Sequence, residues 1–132
     1  MDKQHNIVGW FEIPVTNMER AIKFYENLFG VQLHRESIGG LDMAWFPGDM
    51  EGPGASGSLV YKPDTFKPSS EGTLVYFNSQ YGDVSRELAK VKDLGGKVVT
   101  PKTLITDDIG YYAICTDTEG NRIALHSQKQ LV

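Results

Sequence analysis

Six aromatic side chains, Trp10, Trp45, Tyr76, Phe77, Tyr111 and Tyr112, fall in segments rich in β-branched and aromatic residues that read as strands. Successive strand residues point to opposite faces, so those with inward parity would line a cavity with flat apolar surface suited to a small organic or aromatic ligand. The competing use is core filling, the commoner fate of strand aromatics. Nucleophile and metal chemistry have thinner support. Cys115 is the only cysteine and sits in a predicted buried strand without a basic neighbour, which favours an inert thiol. His5 and His34 stand alone, without the spacing to a second donor that a metal site requires. The segment GDMEGPGASG at 48–57 holds four glycines but lacks the Gly-Lys-Ser/Thr ending and the following helix of a phosphate-binding loop. It reads as a surface connection, with a lid over the cavity as the alternative.

A motif that occurs twice must position these side chains. In its first copy, Ile7 to Val15 reads as a strand, with Pro14 tolerable near its end. Thr16 and Glu19 have capping-box spacing, which predicts a helix start at Thr16. Met18, Ala21, Ile22, Tyr25, Leu28 and Phe29 recur at three- and four-residue steps as a buried stripe, and Gly30 supplies the left-handed stop. In the looser second copy, Thr73 to Phe77 is the strand and Asp83 the N-cap. Val84, Leu88, Val91 and Leu94 form its stripe, and Gly95-Gly96 the stop.

Three further strands follow each helix: Val31 to Ser37, Leu41 to Phe46 and Ser58 to Tyr61, then Lys97 to Ile105, Gly110 to Thr116 and Arg122 to Ser127. The segment KPDTFKPSSEG at 62–72, with its prolines and small polar residues, links the halves. One helix covers only one face of a sheet, and two such sheets facing each other would enclose a cavity. The expected fold is α+β: one domain over 1–132, made of two βαβββ modules whose mixed sheets form half-barrels with the helices outside. The first module spans about 6–62, the link about 63–71 and the second module about 72–128.

Composition limits the function classes. At 132 residues, with 40% hydrophobic and 23% charged side chains, the chain has the make-up of one ordinary globular domain. A net charge of −4 without a Lys or Arg cluster argues against nucleic-acid and anionic-membrane partners. No apolar run is long enough to span a bilayer, the opening MDKQHN lacks the apolar stretch of a signal peptide, and a lone cysteine fits a reducing compartment. The expected location is the cytoplasm.

Two stretches, IPVTNMERAIKFYENLFG and DTEGNRIALH at 117–126, resemble the vicinal oxygen chelate superfamily, which includes glyoxalase I, extradiol dioxygenases, fosfomycin-resistance proteins and bleomycin-resistance proteins. The resemblance runs nearly end to end. It implies paired βαβββ modules around a small-molecule site, usually with a divalent metal that polarises vicinal oxygens of the substrate, and often a homodimer.

Aligned to the family motifs, the usual ligand positions fall at Trp10, near Ser58, at Thr73 and at Ala124, none of which is a His or a carboxylate. The expectation is no cofactor and no metal, unless one binds through non-standard donors such as Glu12 and His126. Those two lie two residues beyond Trp10 and Ala124 and so share their predicted inward parity. A carboxylate and an imidazole there would serve as a base and its orienting partner. The alternatives are a hydrogen-bonded structural pair or two side chains at the wet mouth of the barrel. The expected catalytic residues are Glu12 and His126, and the expected ligand-binding residues are Trp10, Trp45, Ser58, Thr73 and Phe77. The implied function is that of a glyoxalase-like protein with a small-molecule cavity and without the usual metal ligands; turnover is left open, and the enzyme version is a lyase or isomerase acting next to a carbonyl, or a dioxygenase-like member of the superfamily. The alternative is a metal-free protein that sequesters a small molecule, of the bleomycin-resistance type.

Overall fold

A computed structural model of the chain describes residues 6–49 and 52–128. Strand β1 (Trp10–Pro14) leads into helix α1 (Met18–Phe29), followed by β2 (His34–Ile38), β3 (Leu41–Trp45) and β4 (Ser56–Tyr61). The same order then repeats as β5 (Val75–Asn78), α2 (Val84–Val91), β6 (Lys97–Thr106), β7 (Gly110–Thr116) and β8 (Arg122–Ser127). Each unit makes one four-stranded mixed sheet, in the orders β1-β4-β3-β2 and β5-β8-β7-β6, with β1 parallel to β4 and β5 parallel to β8. The fold is thus α+β with two βαβββ modules. Among the described residues, no helix is long and apolar enough to cross a membrane.

Both helices sit where the periodicity puts them, but α1 starts differently from the predicted capping box. Asn17, not Thr16, is its N-cap, with the side-chain oxygen accepting from Arg20 N at 3.1 Å. Thr16 and Asn17 instead donate their backbone N–H groups to Glu119 Oε1, at 2.8 and 2.9 Å, and Glu19 turns outward to Arg35. A carboxylate a hundred residues away in sequence has taken the place of the local one. Helix α2 starts as its sequence indicates, with Asp83 Oδ1 accepting from Ser85 N at 3.0 Å.

The buried stripe of α1 is Met18, Ala21, Phe24, Tyr25, Leu28 and Phe29, so Phe24 replaces the expected Ile22, which is half-buried. On α2, Val84 and Val91 are buried, Leu88 and Leu94 are only partly so, and Glu87 is fully buried between them.

One hydrophobic core joins the modules. It contains Ile13, Ala44 and Leu59 from the first sheet and Ala113, Cys115, Ile123 and Leu125 from the second, together with the α1 stripe, Val84 and Val91. Phe77 packs against this core, surrounded by the rings of Phe11, Tyr25, Phe29 and Phe46 at centroid distances of 5.1 to 5.8 Å. Gly57 on β4 is required there, because a Cβ at that position would meet the Phe11 ring at 2.4 Å.

Polar links cross the same boundary. Tyr25 donates its hydroxyl to Asp117 Oδ2 at 2.6 Å, and Asn121 donates its amide to Pro14 O at 2.8 Å. Burial and the adjacent Asp117 push the Tyr25 phenol well above its ordinary pKa, so it stays a donor.

Candidate functional site

Each sheet has one face in the shared core, and alternation along the strands fixes what the other, open face carries. On the first sheet, core residues Ile13, Leu59 and Ala44 leave Trp10 and Glu12 of β1, Ser58 and Val60 of β4, Met43 and Trp45 of β3, and His34 of β2 on the open side. Strand register aligns Glu12, Ser58, Trp45 and His34 in one row across all four strands. The Trp10 and Trp45 rings meet edge to face, with centroids 5.4 Å apart at 73°. Beneath them Met43, Ser58 and Val60 are buried, although Met43 and Val60 stand outside the main core. The face is therefore a second, smaller apolar layer capped by two indoles.

Two polar atoms in that layer are unsatisfied. Trp45 Nε1 and Ser58 Oγ are both buried, and neither has a hydrogen-bond partner among the described residues. A buried donor or hydroxyl left without a partner costs about 1–3 kcal/mol, which native proteins seldom accept without a functional reason.

The open face of the second sheet is built differently. Register puts Asn78, His126, Tyr112 and Thr103 in one row, and Tyr76, Ala124, Ile114 and Thr100 in the next. His126 is already engaged: its Nε2 stands 2.7 Å from the Ile109 carbonyl in the turn between β6 and β7. A carbonyl can only accept, so Nε2 carries the proton and donates it there.

Glu12 and His126 share no hydrogen bond among the described residues. Glu12 lines a cavity of about 400 Å³ between β1 and β5 that also contains Arg122, whereas His126 lies four residues further along β8. At strand rise that is about 13 Å from Arg122. Trp10, Trp45 and Ser58 do converge on one face, and Thr73 shares the Glu12 cavity from the segment just before β5.

Counted in twos from Thr73, taken as an inward position, Phe77 is expected to face the cavity and Tyr76 to pack against the helix layer. Instead Phe77 faces the core and the helix layer, while Tyr76 is 55% exposed on the open side. The cause is register. Ser79 N bonds His126 O as Val15 N bonds Val60 O, so the counterpart of Trp10 in the second module is Leu74, and Thr73 lies one residue off. Phe77 still borders a second cavity, of about 230 Å³, with Phe11, Phe29, Phe46 and Tyr76.

Lys67 and Arg122, which also line the larger cavity, were not among the expected site residues. Arg122 had a signal, since counting in twos back from His126 passes through Ala124 to Arg122. Lys67 had none, because it lies in the link between modules. Cys115 is buried in the core and its thiol is pushed up to about 12 by that burial, which leaves it inert at neutral pH.

The fold is that of a paired-βαβββ protein with cavities between and beside its two sheets. The chain belongs to the Glyoxalase/Bleomycin resistance protein/Dioxygenase superfamily, whose family model matches residues 7–125. Among solved structures it is similar to TnmS3, an antibiotic binding protein from a Streptomyces species, at 24% identity and TM-score 0.62 over 97% of this chain and 100% of that one. A glyoxalase/bleomycin resistance protein from Albidiferax ferrireducens is 15% identical, with TM-score 0.66 over 94% of this chain and 100% of that one. Glyoxalase I from Zea mays is 21% identical with TM-score 0.65; the match covers 93% of this chain but 44% of the maize chain, so this chain spans less than half of that enzyme's length. None of the curated proteins matches the chain in sequence.

The divalent metal that the resemblance implies does not suit the residues present. Trp10 and Ala124 offer no ligand atom, and Ser58 and Thr73 offer only neutral hydroxyls. Among the described residues, no three His, Cys, Asp or Glu side chains are grouped so that they could hold an ion.

Proposed function

We propose that this protein binds and sequesters a small planar organic molecule on the open face of its first sheet, without a metal. The observation that carries the reading is the Trp10–Trp45 pair, two partly exposed indoles that meet edge to face on that sheet with centroids 5.4 Å apart. A flat ligand packed on the exposed parts of these rings gains aromatic contact. Similarity to an antibiotic binding protein supports the same reading. The lyase or isomerase alternative would make Glu12 a base next to a carbonyl. It has less support, because the imidazole that would orient Glu12 is spent on the Ile109 carbonyl. We further propose a homodimer in a reducing, cytoplasmic setting, the latter in keeping with the single buried thiol.

The experiment is ligand screening by intrinsic fluorescence, since both tryptophans of the chain lie on this face. Planar antibiotics should quench the emission, and Trp45→Leu should weaken binding about tenfold as measured by calorimetry. Metal analysis of protein purified without chelator should give substoichiometric zinc, nickel, manganese and iron. Stoichiometric metal, or turnover of an α-ketoaldehyde adduct that Glu12→Gln abolishes, would replace this reading with an enzymatic one. Light scattering of the same sample should give the mass of two chains, and a one-chain mass removes the dimer.

A further inference from the structure

The cavity between β1 and the start of β5 has a charge pattern that the tryptophan face lacks. Its walls carry Lys67 from the inter-module link, Arg122 at the first position of β8, and Glu12. None of the three has an ion pair or hydrogen bond among the described residues, and Arg122 Nε is in addition buried. Nε itself is closed off, but the two terminal guanidinium nitrogens are not buried and have no acceptor among the described residues, so they are open to one that enters the cavity.

The polar groups of Asn121 and Ser69 on the same wall are already engaged. Asn121 next to Arg122 is fully committed: its amide donates to Pro14 O and to Asp117 Oδ2, and its Oδ1 accepts from Ser69 N. The Ser69 hydroxyl already accepts from Glu71 N. What remains is one guanidinium and one ammonium facing a cavity of about 400 Å³, with one carboxylate on the β1 wall.

We propose that this cavity is a carboxylate subsite, in which Arg122 and Lys67 hold the single negative charge of an organic acid. A planar guanidinium matches a carboxylate through paired N–H donors, and lysine adds a point charge. Glu12 repels a second negative charge, which sets the preference for monoanions over dianions, and accepts from a hydroxyl or ammonium group beside the bound carboxylate. Glu12 is also the residue that connects this subsite to the tryptophan face, through its register position opposite Ser58. The full ligand is then a planar ring system bearing one carboxylate. Only the ring half of that statement rests on the proposed binding function, and the carboxylate half stands on Arg122 and Lys67.

A matched pair of probes, 2-naphthoate and the neutral 2-naphthamide, tests it by calorimetry. Wild-type protein should bind the acid at least about tenfold more tightly than the amide, and Arg122→Gln should erase that difference while leaving the amide unchanged. Lys67→Gln, at an exposed link position with no structural partner, should shrink the preference severalfold and decides the matter where Arg122→Gln melts early. Equal affinities in wild type, binding of neither probe, or a preference that survives Lys67→Gln and a folded Arg122→Gln overturns the subsite. Trp45→Leu separates the two proposals. A preference for the acid that persists while the amide is unaffected supports the carboxylate site and rejects the planar face; equal loss of both probes supports the face.

Discussion

The loop from β1 to α1 is anchored by the opposite module, through Glu119, whereas the loop from β5 to α2 is anchored by Glu87 of its own helix. Glu119 accepts from Thr16 N, Thr16 Oγ1 and Asn17 N and is clamped by Arg20 Nε at 2.7 Å. Glu87 accepts only from neutral donors, Ser79 Oγ at 2.7 Å and Gln80 N at 2.8 Å. Burial pushes both carboxyls up. For Glu119 the Arg20 hydrogen bond and the donors around it outweigh burial and hold the pKa at about 2, while for Glu87 burial prevails and the pKa is raised. The same task on the same topology is thus done once by an ion and once by a group that resists ionisation.

Two substitutions sharpen that contrast. Glu119→Gln should have the larger effect, about 2 kcal/mol at neutral pH, because it removes a charged acceptor shared by donors on Thr16, Asn17, Arg20 and Thr118 and deprives Arg20 of its carboxylate. Since the folded pKa of Glu119 lies below its ordinary 4.5, its stabilisation is complete above that value and fades as pH falls toward about 2. Denaturant titrations at stepped pH should therefore show the mutant and wild type converging in acid.

Glu87→Gln should cost less than about 1 kcal/mol at neutral pH, because glutamine keeps an acceptor for Ser79 and removes a disfavoured charge. The sign of its pH dependence is opposite. A raised folded pKa means the stabilisation is complete below 4.5 and is lost as pH rises through the folded value, so this mutant should fall further behind wild type in acid. Parallel pH slopes for the two mutants would break the comparison.

The open faces differ in a similar way. On the second sheet the polar ring nitrogen of His126 is tied to the Ile109 carbonyl, while on the first the buried Trp45 and Ser58 polar atoms have no partner among the described residues. The second face spends its polar group on holding a turn, whereas the first presents the edges and faces of two partly exposed indoles.

What could be read from the chain follows the range of each interaction. The repeated strand–helix unit was legible because Gly30, Asp83 and the apolar stripes act within a few residues of themselves. The start of α1 was not, because Glu119 reaches it across a separation of 103 residues. The facing of Phe77 depends on how β5 registers against β8, which parity counted from a strand's expected first residue cannot supply. The Trp10, Ser58 and Trp45 grouping was partly visible as aromatic and small residues of common parity, yet the burial of their polar atoms emerges only when the strands are side by side.

Between β1 and β5 the two sheets meet through side chains, the Phe11 and Phe77 rings among them, and among the described residues no backbone ladder joins them. A ladder fixes strand spacing at about 4.8 Å, and only breaking it changes that distance. Packed rings and a few long polar arms impose no such fixed step. The gap between the two halves is therefore the dimension most cheaply retuned, by trading the bulk of residues such as Phe11 and Phe77, while each sheet keeps its own frame.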